Sequence, residues 1–87
     1  MKTFWNVVLR NEDGTTSLAF HGTSYEDAVF AAARCNGRNP YVLCIEDGEC
    51  IGWATEDGNV INLSSARPEP YFRPETLERE AALWAMV

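Results

Sequence analysis

The chain has 87 residues and a formal net charge of −6 at pH 7, from 13 acidic and 7 basic side chains. This length suits one hydrophobic core, so we expect a single domain over residues 1–87. The acidic balance has the wrong sign for holding phosphates and argues against direct binding of nucleic acid. The sequence has neither the apolar run of about 20 residues that a membrane helix needs nor the start of a signal peptide, so we expect a cytoplasmic protein without membrane contact.

Side chains that support catalysis or metal binding are few. There are three cysteines, Cys35, Cys44 and Cys50, and the only histidine is His21. A zinc site needs about four ligands, and these residues follow no metal-ligand spacing, so we expect free thiols and no metal or cofactor. The sequence shows no glycine-rich phosphate loop and no spacing that pairs a nucleophile with a base, which indicates that the protein is not an enzyme.

The triplet Glu-Asp-Gly occurs three times, and each copy separates two stretches of strand-like sequence. Asp-Gly favours a two-residue hairpin turn, because a type I′ turn needs positive φ at both central positions. The first triplet therefore predicts a hairpin of two strands with one apolar face. Its cross-strand pairs are Leu9 with Leu18 and Val7 with Phe20.

The motif Thr-Ser-Tyr-Glu at residues 23–26 is typical of a capping box with Thr23 as the N-cap. It predicts a helix over residues 24–36 that ends at Asn36-Gly37. Mostly small apolar side chains recur at helical spacing, so the helix can lie close against a sheet. The apolar stripe consists of Tyr25, Ala28, Val29, Ala32 and Asn36, and Phe30 falls roughly opposite it.

Residues 41–45 are apolar without alternation, which predicts a central strand covered on both faces. Two-residue turns at the second and third triplets then predict a three-stranded antiparallel meander in which Glu46 faces Glu49. We expect the helix on the meander face that mixes small with large side chains. That face carries Tyr41, Leu43, Ile45, Cys50, Gly52, Ala54, Ile61 and Leu63, and the other carries Val42, Cys44, Ile51, Trp53 and Val60.

The prolines at positions 68, 70 and 74 predict an extended strap over residues 64–74. A C-terminal helix over residues 75–87 follows, with Pro74 in its first turn and glutamates in its N-terminal half. The element order is therefore ββαβββα. The fold class is α+β, with an antiparallel sheet of about five strands, one helix packed on the sheet and a C-terminal helix.

Charge is the feature of the sequence that points to a partner. Between residues 39 and 66 there are five acidic residues and no lysine or arginine. Such a stretch fits either a solvated surface or an acidic surface that binds a protein. Exposed aromatic side chains next to charge are typical of binding hot spots. The candidate partner-binding residues are Glu46, Asp47, Glu49, Glu56, Asp57, Glu12, Asp13 and Phe30.

In length, acidity and arrangement of hairpin, helix and acidic meander, the chain resembles the anti-CRISPR proteins, the small phage-borne and mobile-element-borne inhibitors of CRISPR effector complexes. The resemblance implies a small domain that acts in the host cell and occupies the basic surface on which the effector binds DNA. Its partner would be a nucleic-acid-binding host complex. A row of carboxylates on the meander would take the place of phosphates against lysine and arginine.

A different class of function is also consistent with the sequence. The protein would be a structural or accessory protein of a phage or bacterium that self-associates, most simply as a symmetric homodimer. The surface for this contact would combine Val42, Ile51 and Trp53 with the C-terminal helix.

Overall fold

The computed structural model describes residues 2–72. It contains a five-stranded antiparallel sheet and one α-helix, which confirms the α+β class and the order ββαβββ. The predicted helix over residues 75–87, and the last two residues of the predicted strap, lie outside the described residues. The elements are β1 Thr3–Arg10, β2 Thr16–Gly22, α1 Tyr25–Arg34, a 3₁₀ turn at Asn36–Arg38, β3 Tyr41–Glu46, β4 Glu49–Ala54 and β5 Val60–Asn62.

The strands lie in the order β2-β1-β3-β4-β5, and every neighbouring pair is antiparallel. β3 therefore pairs with β1 rather than with β2, its predecessor in the chain. The connection between β2 and β3 is α1, which crosses one face of the sheet and contacts β1, β2 and β3. β4 and β5 therefore lie at the edge of the sheet that α1 covers least.

α1 begins one residue later than the sequence predicts. Ser24 is the N-cap, and its hydroxyl oxygen accepts a hydrogen bond from the amide of Asp27 at 3.2 Å. The helix ends at Arg34 because a 3₁₀ turn follows, and the chain then reverses at Asn39 with a φ of 51°. The apolar stripe is confirmed, since Ala28 and Ala32 are fully buried.

The hydrophobic core lies between α1 and the sheet. Val7 of β1 and Val42 of β3 are cross-strand partners, and neither has any exposed surface. The alanines of α1 pack on them, which brings the helix close to the sheet because alanine has the smallest apolar side chain. The buried members of this core are Val7, Ala28, Ala32, Val42, Ala54 and Tyr71.

The second Glu-Asp-Gly triplet forms the predicted two-residue turn. Asp47 and Gly48 have φ values of 51° and 82°, as a type I′ turn requires. Glu46 and Glu49 are cross-strand partners, which confirms the register beside the turn.

The first and third triplets form longer turns, so the two-residue turns predicted there are wrong. At the first, the amide of Gly14 donates to the carbonyl of Asn11 at 3.0 Å, and the amide of Asn11 donates to the carbonyl of Thr15 at 2.8 Å. This is a type I turn followed by a glycine with positive φ, a loop of three residues. The equivalent residues of the third turn are Thr55, Gly58 and Asn59, with two hydrogen bonds of 2.9 Å.

The longer first turn shifts the pairing of its hairpin by one residue. Val8 rather than Leu9 is the partner of Leu18, and a bulge next to Val7 restores the predicted pair with Phe20. A shift of one residue moves a side chain to the opposite face of a sheet. Leu18 is therefore off the core and 62% exposed, contrary to the prediction.

The helix also packs on the other face of β3 from the one that we expected. α1 covers Val42, whereas Leu43 pairs with Trp53 on the opposite face. β3 is apolar on both faces, so its own sequence does not distinguish them. A bulge after Cys44 carries Gly52 and Ala54 to the α1 side, where small residues were expected.

The strap passes from one face of the sheet to the other. On the face opposite α1, the indole nitrogen of Trp53 donates to the carbonyl of Ala66 at 3.3 Å. On the α1 side, the amide of Tyr71 donates to the carbonyl of Pro40 at 2.7 Å, and the Tyr71 side chain enters the core with 6% of its surface exposed. Tyr71 thereby fills the space beside Ala54 that α1 leaves open.

Candidate functional site

The three acidic turns lie at two different ends of the sheet. Because successive strands alternate in direction, the turn between β3 and β4 projects from one end, and the turns after β1 and β4 project from the other. β3 is 6 residues long, so the two ends are about 20 Å apart. The five carboxylates of the meander therefore do not form one row, and the candidate residues divide into three places.

The first place is the turn that carries Glu46, Asp47 and Glu49. Asp47 and Glu49 are exposed and Glu46 is half-buried. Glu46 and Glu49 face each other directly across the two strands. A like-charged pair of this kind costs on the order of 0.2–1 kcal/mol of stability.

The second place is a cavity of about 610 Å³ at the β1–β2 turn. Glu12 and Asp13 line it together with Arg10 and Arg38, so the two acidic charges are balanced by two basic ones. The guanidinium of Arg38 donates to the side-chain oxygen of Asn11 at 3.2 Å. This cavity therefore offers no net acidic surface to a basic partner.

Asp13 is also committed to the turn itself. Its carboxylate accepts hydrogen bonds from the hydroxyl of Thr15 at 2.6 Å and from the amide of Thr15 at 3.0 Å. These bonds stabilise the charged form and hold the pKa of Asp13 below its ordinary value. Asp13 thus serves the geometry of the loop.

The third place is a groove of about 510 Å³ between α1 and the β4–β5 turn. It brings together three candidate residues that are far apart in the sequence, Phe30, Glu56 and Asp57. Phe30 is 66% exposed, as expected of a residue away from the apolar stripe. The described residues that line this groove are Tyr25, Glu26, Val29, Phe30, Glu56, Asp57, Gly58 and Tyr71.

Two tyrosines form one wall of the groove. The hydroxyl groups of Tyr25 and Tyr71 lie 3.3 Å apart and share a hydrogen bond. Trp5 packs edge-on against Tyr25 with ring centroids 4.7 Å apart, and Phe72 packs edge-on against Tyr71 at 5.2 Å. Burial, the bond to Tyr25 and the nearby charge of Glu56 raise the pKa of Tyr71, so the Tyr71 side chain is uncharged at neutral pH.

The groove is acidic as well as apolar. Glu26, Glu56 and Asp57 contribute carboxylates, and none of the described residues that line it is a lysine or an arginine. Glu26 and Phe30 are one helical turn apart on α1, which places them side by side. An apolar groove with an acidic rim suits a positively charged group that also has apolar surface.

Sequence reasoning missed Tyr25, Glu26 and Tyr71 as members of this site. It assigned Tyr25 to the buried stripe and Glu26 to the capping box, and it placed residue 71 only within the extended strap. The spacing of Glu26 and Phe30 by four residues was an available signal, since such pairs share a helix face. The approach of Tyr71 and the β4–β5 turn depends on contacts that are distant in sequence.

The histidine and the cysteines singled out by the sequence are not among the described residues that line the groove. His21 stacks on Phe4 with ring centroids 4.9 Å apart and hydrogen-bonds to Asn6. The three cysteines are free, and burial raises the pKa values of Cys44 and Cys50. Within residues 2–72, no group of three or more histidine, cysteine, aspartate or glutamate residues is arranged to hold a metal ion.

The surface expected for self-association is not formed as predicted. Val42 has no exposed surface beneath α1, and Trp53 is 5% exposed on the opposite face of the sheet. Two residues that are buried on different faces do not make one contact surface. The prediction that they would do so is therefore wrong.

Comparison with protein-family models, with curated proteins and with solved structures finds no match for this chain. Among the helices in the described part of the chain, none has the length and apolar character needed to cross a membrane.

Proposed function

We propose that the protein is an acidic, non-enzymatic inhibitor that binds the basic nucleic-acid-binding surface of a partner protein through the groove around Phe30. The observation that carries the proposal is an aromatic side chain, 66% exposed, within a groove rimmed by carboxylates. Binding hot spots combine an aromatic anchor with charged neighbours. The resemblance in format to anti-CRISPR proteins makes a CRISPR effector complex the partner class to test.

The inhibition would be competitive. Surfaces that bind DNA are lined with lysine and arginine, and carboxylates compete with phosphates for these side chains and release the same counterions. Phe30 would add apolar contact area that a phosphate backbone does not supply. The turn after β3 lies at the far end of the sheet, about 20 Å away, so its carboxylates are separate from those of the groove.

The test measures how strongly the protein inhibits DNA binding by a CRISPR effector complex. Two double variants make the same change in net charge at opposite ends of the sheet, Glu56→Lys with Asp57→Lys and Asp47→Lys with Glu49→Lys. We expect the groove variant to lose inhibition at least 10-fold more than the other. Phe30→Ala should also lose inhibition, whereas Leu18→Ala, which truncates an apolar side chain of similar exposure, should not.

The proposal is overturned if the groove variants inhibit as well as the unmodified protein. It is also overturned if the chain does not inhibit any effector that it binds. Repeating the assay at about 0.5 M salt checks the electrostatic part, because exposed charge contacts are heavily screened there.

Self-association remains the second candidate, and the face of the sheet opposite α1 favours it. Val8, Tyr41 and Leu43 lie on this face and are half-buried among the described residues. Half-buried apolar side chains on one face supply surface for a second copy. Sedimentation equilibrium tests it, since a dimer that Leu43→Glu dissociates would support self-association and a monomer would exclude it.

A further inference from the structure

The sheet has two edge strands, and they differ in how open they are to further pairing. β5, at one edge, has 3 residues and follows the turn that carries Glu56 and Asp57. β2, at the other edge, has 7 residues and contains no lysine, arginine, aspartate, glutamate or proline. Alternate residues of an edge strand direct their amide and carbonyl groups away from the sheet, and short length, charge and proline are common means of preventing another strand from pairing there. β2 has none of these three.

The outer side of β2 has no backbone partner in the part of the chain that the structure describes. β2 pairs with β1, and the backbone hydrogen bonds of the described turns and loops include none to residues 16–22. One feature of β2 does oppose further pairing, a bulge at Ala19, which has no partner on β1 between Leu18 and Phe20. Residues 16–18 come before this bulge and form a regular, open stretch.

An apolar row on the face opposite α1 ends at this open edge. Tyr41 of β3, Val8 of β1 and Leu18 of β2 are successive cross-strand neighbours. Tyr41 and Val8 are half-buried, whereas Leu18, at the end of the row, is 62% exposed. A further strand beside β2 would continue the row and cover Leu18.

We propose that β2 pairs in antiparallel orientation with β2 of a second copy of this chain, so that the sheet is continuous across a symmetric dimer; this inference goes beyond the proposed function. Charge identifies the occupant of the edge. A basic segment would find no carboxylate on β2, and an acidic segment would be repelled by the net charge of −6. The uncharged edge of a second copy meets both conditions and is the same surface on both partners, as a two-fold contact requires.

The antiparallel orientation keeps the acidic turns of the two copies apart. A two-fold axis near residues 16–18 places the β1–β2 turn of each copy, with Glu12 and Asp13, beside the end of the other copy's β2. That end, residues 20–22, is Phe-His-Gly, so no carboxylates face each other there. The two Leu18 side chains lie on the same face as direct or diagonal cross-strand neighbours, and pairs of this kind stabilise a sheet.

The groove around Phe30 is not part of this contact. Its wall from the sheet is the β4–β5 turn, at the edge opposite β2. A dimer formed through β2 therefore leaves the groove of each copy open. Dimerisation and inhibition can then be measured separately.

Charge substitutions at the two edges test the inference on the full chain. Leu18→Lys places two like charges near each other across the contact, and Val60→Lys makes the same change in charge on β5. These side chains are 62% and 47% exposed, so neither substitution empties the core. In sedimentation equilibrium, we expect the unmodified protein and Val60→Lys to dimerise equally, and Leu18→Lys to raise the dissociation constant of the dimer by about 10-fold.

Hydrogen exchange of the backbone amides distinguishes pairing of edges from contact between faces. The amides of β2 that point away from β1 should exchange more slowly as the concentration of the unmodified protein rises, because they gain hydrogen bonds in the dimer. The amides of β5 should exchange at the same rate at every concentration. This measurement needs no substitution, so it holds even if Leu18→Lys fails to fold.

Three outcomes would overturn the inference. The first is a monomer at every concentration, and the second is a dimer that Leu18→Lys and Val60→Lys weaken equally. The third is a dimer that Leu43→Glu dissociates without slower exchange in β2, which would assign self-association to the face of the sheet. Each outcome is independent of whether the groove variants inhibit an effector, so this inference and the proposed function fail separately.

Discussion

Asp13 shows how a single carboxylate closes a loop. It accepts two hydrogen bonds from Thr15, and the bond from the Thr15 hydroxyl, at 2.6 Å, is the larger cause of the lowered pKa. We expect Thr15→Val to raise the pKa of Asp13 toward its ordinary value of 3.8, without fully reaching it because the backbone amide still donates. A carbon-detected titration of the side-chain carboxyl by NMR measures this directly.

The sign of the effect on stability follows from the same shift. A carboxyl group whose pKa is lower in the folded state contributes stability above its unfolded pKa, and the contribution is lost as pH falls through the folded pKa. Thr15→Val should therefore make the free energy of unfolding fall less as the pH is lowered. Thr16→Val is the control, and an equal pKa change in both variants would contradict the assignment to the Thr15 hydroxyl.

Phe30 shows how far single residues were predictable. Its exposure followed from its position on the helix away from the apolar stripe, and the structure confirms it. Its acidic neighbours did not follow, because only the folded chain brings Glu56 and Asp57 next to α1. Local periodicity reports which side chains face solvent, whereas the composition of a groove depends on contacts distant in sequence.

At the level of the element, one tripeptide forms two kinds of turn. Glu-Asp-Gly makes a two-residue turn after Ile45 and three-residue loops after Asn11 and Thr55. Asparagine is favoured at the first position of a type I turn, whereas isoleucine, the residue at position 45, is not. The residue before the triplet was therefore the signal for loop length, and a one-residue error there changed the face of Leu18.

The helix was more predictable than the face on which it packs. The stripe around Ala28 and Ala32 repeats with the helical period and was found from the sequence. β3 has no such pattern, because Val42 beneath α1 and Leu43 on the opposite face are both apolar. A strand of this kind fits either orientation, and only its neighbours decide.

Gly52 is a position where β4 and β5 approach each other closely. A Cβ atom at this residue would lie 2.5 Å from the carbonyl oxygen of Ile61, which is backbone and cannot rotate away. We expect Gly52→Ala to displace β5 and to reduce the free energy of unfolding by about 1–3 kcal/mol. Urea unfolding of the variant and the unmodified protein measures the difference.

Gly37→Ala is the matched control for this substitution. Gly37 has open space where its Cβ would lie, and its φ is not in the left-handed region. Alanine there should be neutral or stabilising by up to about 1 kcal/mol, because it reduces the entropy of the unfolded chain. Equal destabilisation by the two substitutions would show that crowding against β5 is not the cause.

Across the whole molecule, the alternation of strand direction decides how charge is distributed. The sequence places five acidic residues between positions 39 and 66, which predicts one acidic surface. The sheet order sends Asp47 to one end and Asp57 to the other. Net charge was therefore predictable from composition, and the acidic groove was not, because it depends on how the strands are connected.

Tyr71 joins three parts of the molecule. Its amide bonds to Pro40 before β3, its hydroxyl bonds to Tyr25 of α1, and its ring lies in the core with Ala54 of β4. Its pKa is raised above the ordinary value of 10.0, chiefly by burial. The folded protein therefore retains the Tyr71 proton at pH values where the unfolded chain loses it.

The contribution of Tyr71 to stability should depend on alkaline pH. A raised pKa gives stability that is fully present below the unfolded pKa and is lost as pH rises toward the folded pKa. Tyr71→Phe cannot lose a proton, but at pH 7 it lacks the hydrogen bond to Tyr25, which is worth roughly 0.5–1.5 kcal/mol. We expect the variant to be less stable than the unmodified protein at pH 7 and to lose less stability between pH 9 and 11, as measured by urea unfolding at each pH.

Tyr41→Phe separates the effect of Tyr71 from the general response of tyrosines to alkali. Tyr41 is half-buried at the start of β3, outside the groove. Suppose that the uncharged Tyr71 side chain holds the strap, α1 and the sheet together. Only Tyr71→Phe should then reduce the loss of the free energy of unfolding between pH 9 and 11. The same reduction in Tyr41→Phe would assign the alkaline loss to the molecule's overall negative charge, and the wall of the groove would then not depend on the protonation of Tyr71.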